Sequence, residues 1–290
     1  MLIHFATAAD LPALTPDDLI AADALRSRGA RVEPLIWSSP PAAERADAVV
    51  IRSCWDYHLR EAAFRAWIAG LQSSNVVVIN PPSLVQWNLH KSYIAELQAA
   101  GIGTVPTVFA GRGDTRTLSE IISSARWEEA VVKPAVSLSA YETWRVNSRD
   151  AAAHEERFMQ LRSGGDVLVQ EFQPQVMRSG EWSLMYFGRA FSHAVRKLPK
   201  NGDFRVQTEH GGSVETDVPD QRLIDDAARV LGALPERPVY CRVDGIVVDD
   251  AFLVMEVECI DPVLFFELDR PAADRFADEI LNHAADGGRP

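Results

Sequence analysis

The sequence predicts an α/β (α+β) protein with three packed units, and three features carry this prediction. The chain of 290 residues is long enough for two or three hydrophobic cores. Its first 80 residues alternate between short apolar strands and helices, which is typical of a parallel sheet covered by helices. Near the C-terminus, two β-branched runs flank the turn sequence Asp249-Asp250-Ala251, which predicts an antiparallel hairpin.

The first unit is expected to cover residues 1–86 and to contain the parallel sheet. Two acidic residues, Asp17 and Asp18, favour the start of its first helix. The Asn80-Pro81-Pro82 break marks its end. The predicted elements are the strand Leu2–Thr7, the helix Pro16–Arg28, the strands Ala30–Ile36 and Ala48–Arg52, the helix Ala62–Ser73 and the strand Val76–Asn80.

The second unit is expected at residues 87–169 and the third at 170–290. The second begins with a helix, Leu89–Ala100, which ends at Gly101, and then alternates strand, helix, strand, loop and helix from Thr107 onward. The third is largely antiparallel. Its predicted elements are the strands Leu168–Phe172, Trp182–Phe187, Arg189–Arg196, Cys241–Val248 and Phe252–Cys259 and the helices Gln221–Leu231 and Ala272–Asp286.

The composition excludes several classes of protein. A net charge of -12 without a basic tract argues against a nucleic-acid binder and against binding to an acidic membrane. The three cysteines, Cys54, Cys241 and Cys259, are too few and too scattered for a disulfide framework or a zinc cluster. The opening residues 1–6 form a strand pattern rather than a secretion signal, so the expected location is the cytosol.

Three carboxylates in the predicted hairpin indicate a metal site. Glu256 and Glu258 are two residues apart and therefore share one face of a strand. Asp244 on the partner strand can lie beside them. Converging carboxylates repel one another unless a cation holds them, and hard oxygen ligands suit Mg²⁺. The alternative is a solvent-facing acidic stripe on an edge hairpin.

Other polar residues follow predicted strands or open a helix, where they can bind a nucleotide. Lysines there can reach phosphate oxygens, arginines can clamp a phosphoryl group, and a strand end can hydrogen-bond a base. Each residue also has an ordinary interpretation, as a surface lysine, a strand terminus or an edge charge that prevents strand pairing. The polar residues are Lys91, Lys133, Gln170, Glu171, Glu181, Arg196 and Arg205, and Phe172 follows Glu171 at the end of the same strand.

The order of these residues resembles the ATP-grasp superfamily of carboxylate–amine ligases, and specifically its glutathione synthetase-like branch. The resemblance covers about residues 80–268. It is most specific in the runs Val169-Gln170-Glu171-Phe172, Ala194-Val195-Arg196-Lys197-Leu198-Pro199, Gly202-Asp203-Phe204-Arg205, Arg242-Val243-Asp244 and Met255-Glu256-Val257-Glu258, together with Glu181. It implies three α+β domains, with ATP between the central and C-terminal domains and with Mg²⁺.

The resemblance also implies a role for each candidate residue. Lys91 and Lys133 correspond to the lysines that bind the α- and β-phosphates. Gln170, Glu171 and Phe172 correspond to the segment that recognises adenine, and Glu181 to the residue that holds ribose. Asp244, Glu256 and Glu258 correspond to the metal ligands, and Arg196 and Arg205 to the arginines that act on the transferred phosphoryl group.

One departure from the family pattern concerns the phosphate loop. The run 134–143 contains no glycine, although glycine eases close approach of the backbone to phosphate. The hydroxyls of Ser137, Ser139 and Thr143 are candidate substitutes. The segments Ser137–Thr143 and Lys200–Gly212 are the expected lids that exclude water.

The expected substrate residues follow the buried strand of the first unit. Arg52 can pair with a carboxylate, and Ser53, Asp56 and Tyr57 can hydrogen-bond an amino or ureido group. The alternative is a helix cap formed by Asp56. The run Trp55-Asp56-Tyr57-His58, with the later motifs, is similar to the cycloserine synthetase group, whose members close O-ureido-serine into a ring.

The functional hypothesis is an ATP-dependent ligase that activates a small amino-acid carboxylate as an acyl phosphate, with release of ADP. The amine-type nucleophile belongs either to the same molecule or to a second one. The alternatives are a non-catalytic ATP-binding sensor or partner protein, which the missing glycines favour, and a ligase that modifies a peptide. Homodimers are common in the resembled family.

Overall fold

Three β-sheets organise the chain, which we describe from a computed structural model at residues 1–40, 44–74, 76–200 and 202–287. The strands are β1 (Leu2–Thr7), β2 (Arg31–Ile36), β3 (Ala48–Ser53), β4 (Val77–Ile79), β5 (Thr107–Ala110), β6 (Glu129–Pro134), β7 (Trp144–Asn147), β8 (Val167–Glu171), β9 (Glu181–Phe187), β10 (Ala190–Leu198), β11 (Ser213–Thr216), β12 (Tyr240–Val248) and β13 (Ala251–Glu258). The helices are α1 (Pro16–Ser27), α2 (Glu61–Ser73), α3 (Pro82–Asn88), α4 (Tyr93–Ala99), α5 (Leu118–Ala125), α6 (Glu155–Gly164), α7 (Gln175–Ser179), α8 (Gln221–Ala233) and α9 (Arg270–Ala285).

The first sheet is parallel, as predicted, with the strand order β2-β1-β3-β4. Thr15 caps α1, because its hydroxyl accepts a hydrogen bond from the Asp18 amide at 3.1 Å. β3 is buried along its whole length, so the chain that follows it emerges from the core at the carboxyl edge of the sheet.

The second sheet is antiparallel, with the order β5-β8-β6-β7. The expectation that Leu168–Phe172 forms a strand of the third unit is wrong. Lys133 pairs with Leu168, and β8 lies between β5 and β6 inside the second sheet. The expected boundary between residues 169 and 170 therefore falls within β8, so the division of the chain into 1–86, 87–169 and 170–290 remains a proposal.

A single helix over Leu89–Ala100 is also wrong, because α3 ends at Asn88 and α4 begins at Tyr93. The Lys91 amide between them donates to the Ala135 carbonyl at 2.9 Å instead of continuing a helix. This hydrogen bond fixes the backbone of Lys91 to the residue that follows β6 of the second sheet. The Lys91 side chain lines the cleft described below.

The third sheet is antiparallel, with the order β11-β10-β9-β12-β13. Its C-terminal helix α9 contacts α1, so the first and third sheets share one hydrophobic core. Asn80 links them further, since its amide donates to the Tyr240 carbonyl at 2.8 Å and to the Cys259 carbonyl at 2.7 Å. These contacts hold the first sheet against the base of the third.

The three cysteines are free and buried, as core residues. Within the described ranges, no helix has both the length and the apolarity that crossing a membrane requires.

Candidate functional site

A cleft of about 570 Å³ lies between the second and third sheets. One end is formed by Trp55, which follows β3, and by the loop after β13. Most of the predicted nucleotide and metal residues line this cleft. They are Lys91, Lys133, Ser137, Gln170, Glu171, Phe172, Glu181, Arg205, Asp244, Glu256 and Glu258.

The polar wall of the cleft is one face of the third sheet. Asp244 on β12 lies opposite Glu256 on β13, and Glu258 is two residues further on the same face. Glu181 on β9 lies opposite Lys197 on β10. Strand alternation thus gathers charged side chains from four neighbouring strands on one surface.

Buried cations engage the carboxylate Asp244. The Arg242 guanidinium donates to both of its oxygens, from Nε at 2.9 Å to Oδ1 and from Nη2 at 2.9 Å to Oδ2. Lys197 Nζ lies 3.4 Å from Oδ2, and the Ser183 hydroxyl donates at 2.6 Å. Burial raises the pKa of Asp244, but Arg242 and Lys197 outweigh it and hold the pKa at about 2. Asp244 is therefore ionised and fixed in orientation.

The two glutamates of β13 differ in their environments. Burial raises the pKa of Glu256, but Lys91 and Lys133 outweigh it and bring the pKa below its ordinary value. Burial raises the pKa of Glu258 to about 7, although Arg242 donates to this carboxylate and offsets part of the effect. Glu256 is thus the more strongly ionised of the pair.

The donor chemistry of this wall fits Mg²⁺, since three hard carboxylate ligands project from facing strands. In the described part of the chain, no three His, Cys, Asp or Glu side chains are close enough to hold a metal ion as they stand. The carboxylates are instead paired with cations: Lys91 contacts Glu256, Lys197 contacts Asp244, and Arg242 contacts both Asp244 and Glu258. The metal assignment of Asp244 and the two glutamates therefore remains a proposal, in which these cations turn toward an anionic ligand.

Two buried lysines face the carboxylates from the second unit. Lys91 Nζ lies 3.0 Å from Glu256 Oε1 and donates to the Ser137 carbonyl at 2.7 Å. Lys133 Nζ donates to Gln170 Oε1 at 3.2 Å, and burial lowers the pKa of Lys133. Both ammonium groups thus point into the cleft, where they can bind anionic oxygens.

An apolar pocket adjoins the lysines. Its walls can hold a planar group such as a nucleobase. The wall residues are Val131, Phe172, Val176, Phe204, Val206 and Met255. The backbone amides of Glu171 and Phe172 are not free to read a base, because they donate to the carbonyls of Pro106 and Glu129 at 2.9 and 3.0 Å. The Gln170 side chain donates to the Thr107 hydroxyl, which fixes it at the pocket edge.

The glycine-poor loop adopts the left-handed backbone conformation without glycine. Ser139, Ala140 and Glu142 have φ angles of 48°, 54° and 48°. The turn is closed by the Tyr141 amide, which donates to the Leu138 carbonyl at 2.8 Å. Each such residue costs about 1–2 kcal/mol relative to ordinary backbone. The loop therefore stores strain beside the lysine site.

Replacing Ala140 with Gly is expected to raise the free energy of unfolding by up to about 1 kcal/mol, because Gly adopts a positive φ without a Cβ clash. The measurement is the urea midpoint. Ala69→Gly in α2 is the matched control, and there the same change should lower the stability by about 0.5–1 kcal/mol. A loss of stability in Ala140→Gly would contradict the left-handed conformation.

The structure places Lys197, and not Arg196, at the cleft. Arg196 lies on the opposite face of β10, where it pairs with Glu215 at 3.1 Å and Asp217 at 2.9 Å. The expectation that Arg196 acts on a phosphoryl group is therefore wrong for geometric reasons. Arg205 does line the cleft, with its guanidinium held by Asp203.

Glu181 was expected to have a free carboxylate that accepts hydrogen bonds from ribose, and the structure does not leave it free. Its carboxylate is bound by Lys197, and burial raises the pKa of Glu181 while Lys197 offsets part of this effect. It lines the cleft, so a ribose contact requires that this ion pair open or share its oxygens.

The four expected substrate residues do not line the cleft. Arg52, Ser53 and Tyr57 are buried in the core, whereas the Asp56 side chain is 26% exposed. Arg52 is 1% exposed and is bound by Asp18 at 2.8 Å. The Ser53 hydroxyl lies 2.9 Å from that of Thr7. Asp56 accepts a hydrogen bond from Trp37, and Tyr57 stacks on Phe64. The sequence could not separate the packing roles of Arg52 and Ser53 from ligand contacts, because their partners lie 34 and 46 residues away along the chain.

The cleft also contains residues that were not assigned a role from the sequence, among them Trp55, Lys197, Arg242 and Asp261. The alternation of β10 and β12 offered a signal for Lys197 and Arg242, because each lies on the same strand face as a predicted carboxylate or its partner. Trp55 donates from Nε1 to the Asp261 carbonyl at 3.1 Å, a contact across 206 residues that no local pattern shows.

The comparisons with known proteins agree with this geometry. A family described as the N-terminal domain of D-cycloserine synthetase DcsG matches residues 3–80. The cycloserine biosynthesis protein DcsG of Streptomyces lavendulae is 31% identical over 270 residues, which is 88% of this chain and 89% of that protein.

Solved structures show the same fold. The crystal structure of D-cycloserine synthetase DcsG superposes with a TM-score of 0.86 and 27% identity, over 98% of this chain and 100% of that one. D-alanine–D-alanine ligase from Bacillus anthracis complexed with ATP gives a TM-score of 0.72 at 14% identity, over 99% and 98%, which shows the fold alone. The chain therefore belongs to the family of the cycloserine biosynthesis protein DcsG and is an ATP-dependent ligase with the ATP-grasp fold.

Proposed function

We propose that this ligase phosphorylates the carboxylate of a small amino acid with ATP and that an amine-type nucleophile of the same molecule then closes a ring. The observation that carries the proposal is the meeting of buried lysines, three carboxylates and an apolar pocket in one cleft. A carboxylate is a poor electrophile, and conversion to an acyl phosphate with release of ADP makes it reactive. The similarity to a cycloserine biosynthesis protein supports ring closure as the second step.

The roles of the residues follow from their positions. Lys91 and Lys133 bind phosphate oxygens, and the apolar pocket holds the base. Asp244, Glu256 and Glu258 hold Mg²⁺, whose charge offsets that on the phosphates during transfer. Arg205 reaches the transferred phosphoryl group from the loop after β10. Arg242 is the second guanidinium in the cleft and takes the position that Arg196 does not occupy.

Exclusion of water is the task of two segments. Acyl phosphates hydrolyse readily, so the cleft must be covered during transfer. The loop 137–143 and the segment 202–212 both line the cleft and are the proposed lids. The ring of Tyr141 lies 5.0 Å from that of His58, so the first lid contacts the first unit.

The test is product analysis with Mg-ATP and a panel of amino acids that includes O-ureido-serine. We expect ADP, and not AMP, to form only with a particular carboxylate substrate. AMP would show adenylation in place of phosphorylation. Tight ATP binding without turnover across the panel would favour a sensor, and a requirement for a second amine would favour intermolecular ligation.

We further propose that the enzyme acts in the cytosol on small molecules, without nucleic-acid or membrane partners. The net charge of -12 argues against nucleic-acid and acidic-membrane partners. A homodimer is the assembly that the family resemblance favours, and light scattering of the purified protein tests it.

A further inference from the structure

Asp261, in the loop after β13, is a buried acid that the roles above do not use. It is 3% exposed and lines the cleft beside Trp55. Its Oδ2 atom has no hydrogen-bond partner among the residues that the structure describes. A buried carboxylate oxygen without a partner is costly, so such an atom indicates a missing ligand group.

The buried cation Arg52 does not fill this position. Arg52 donates from Nε to Asp18 and from Nη2 to the Pro262 carbonyl, at 2.8 and 3.0 Å, and the described contacts include no bond from it to Asp261. Burial raises the pKa of Asp261 well above its ordinary value, Glu258 adds to this, and Arg52 offsets only part of it. The Trp55 indole donates to the backbone carbonyl of Asp261 and holds this part of the loop beside the cleft.

The position of Asp261 relative to the carboxylate wall restricts the ligand. It follows Glu258 by three residues, which span at most about 10 Å. In an amino acid, the ammonium and carboxylate groups are separated by one carbon. Asp261, Glu258 and Arg242 line the same cleft, so an α-amino acid whose ammonium group lies at Asp261 has its carboxylate in the cleft where phosphorylation is proposed.

We propose that Asp261 determines substrate specificity by accepting hydrogen bonds from the ammonium group of the amino-acid substrate. This inference rests on the proposed ligase function and adds the residue that distinguishes an amino acid from a simple carboxylic acid. A ligand without an ammonium group leaves the buried oxygen of Asp261 without a partner, and a site with such an unpaired polar group rejects that ligand.

The test compares O-ureido-serine with its des-amino counterpart, 3-(ureidooxy)propionate, as substrates for ADP release at saturating Mg-ATP. We expect wild-type protein to prefer the amino compound by at least about 100-fold in kcat/KM. Asp261→Asn and Asp261→Ser should lose most of this preference and keep the KM for ATP within about twofold. The preference ratio is informative because a general structural defect affects both substrates.

Asp17→Asn is the matched control. Asp17 is a buried carboxylate outside the cleft. It accepts hydrogen bonds from two backbone amides in the segment that follows Asp261, those of Leu264 at 3.1 Å and Glu267 at 3.3 Å. We expect it to keep the wild-type preference, and loss of the preference in this variant would assign the effect to the segment as a whole.

Two other outcomes separate the hypotheses. Wild-type protein that uses both compounds equally, or Asp261 variants that keep the preference, would overturn the specificity role while ADP release still supports a ligase. Wild-type protein that releases no ADP with any acid of the panel would overturn the proposed function, and the role of Asp261 with it.

Discussion

The variant Glu256→Gln is expected to lower kcat for ADP release by at least about 100-fold, because Glu256 is both a proposed metal ligand and the partner of Lys91 at 3.0 Å. An amide keeps the shape of the side chain but loses the charge that holds Mg²⁺. Lys91 and Lys133 remain in place, so ATP binding should persist. The measurements are steady-state ADP release and titration with a fluorescent ATP analogue.

Asp250→Asn provides the control for this result. Asp250 lies in the turn of the same hairpin, with a φ of 60° that Asn also tolerates, and its side chain is exposed. The change removes the same charge without touching the cleft, so turnover should stay within about twofold of wild type. Turnover of Glu256→Gln near the wild-type level would contradict the metal role and leave its carboxylate as a structural partner of Lys91.

Local patterns predicted much of the fold. The alternation of β12 and β13 and the turn at Asp249-Asp250-Ala251 placed three carboxylates on one face, and the structure has them there. The parallel first sheet followed from the spacing of short apolar runs. Such features depend on neighbours that are close in sequence, so the sequence alone can show them.

Two of the errors concern partners that are distant along the chain. The sequence pattern assigned β8 to the third unit, and only its pairing with β6 shows that it belongs to the second sheet. Arg52 follows a buried strand as a ligand residue would, but its partners are Asp18 on α1 and the Pro262 carbonyl. The composition of a segment does not reveal whether a charge faces a ligand or another part of the protein.

The adjacent residues Arg196 and Lys197 provide the sharpest test of the strand register. Lys197 is 8% exposed and lies between Glu181 and Asp244, whereas Arg196 pairs with acidic residues on the outer side. Removal of one partner of a buried ion pair leaves an uncompensated charge, which typically costs about 3–5 kcal/mol. A surface pair contributes about 0–1 kcal/mol.

We therefore expect Lys197→Met to lower the free energy of unfolding by about 3–5 kcal/mol and Arg196→Met by less than about 1 kcal/mol. Urea unfolding of both variants measures the difference, and ADP release should fall only in Lys197→Met. A one-residue shift in the register of β10 would exchange the two side chains between the faces of the sheet. Such a shift would therefore reverse which variant loses more stability. Equal losses of unfolding free energy in the two variants would mean that the outer ion pairs stabilise the sheet as much as the buried pair does. A larger loss of unfolding free energy in Arg196→Met would mean that Arg196 faces the cleft and that the register is shifted.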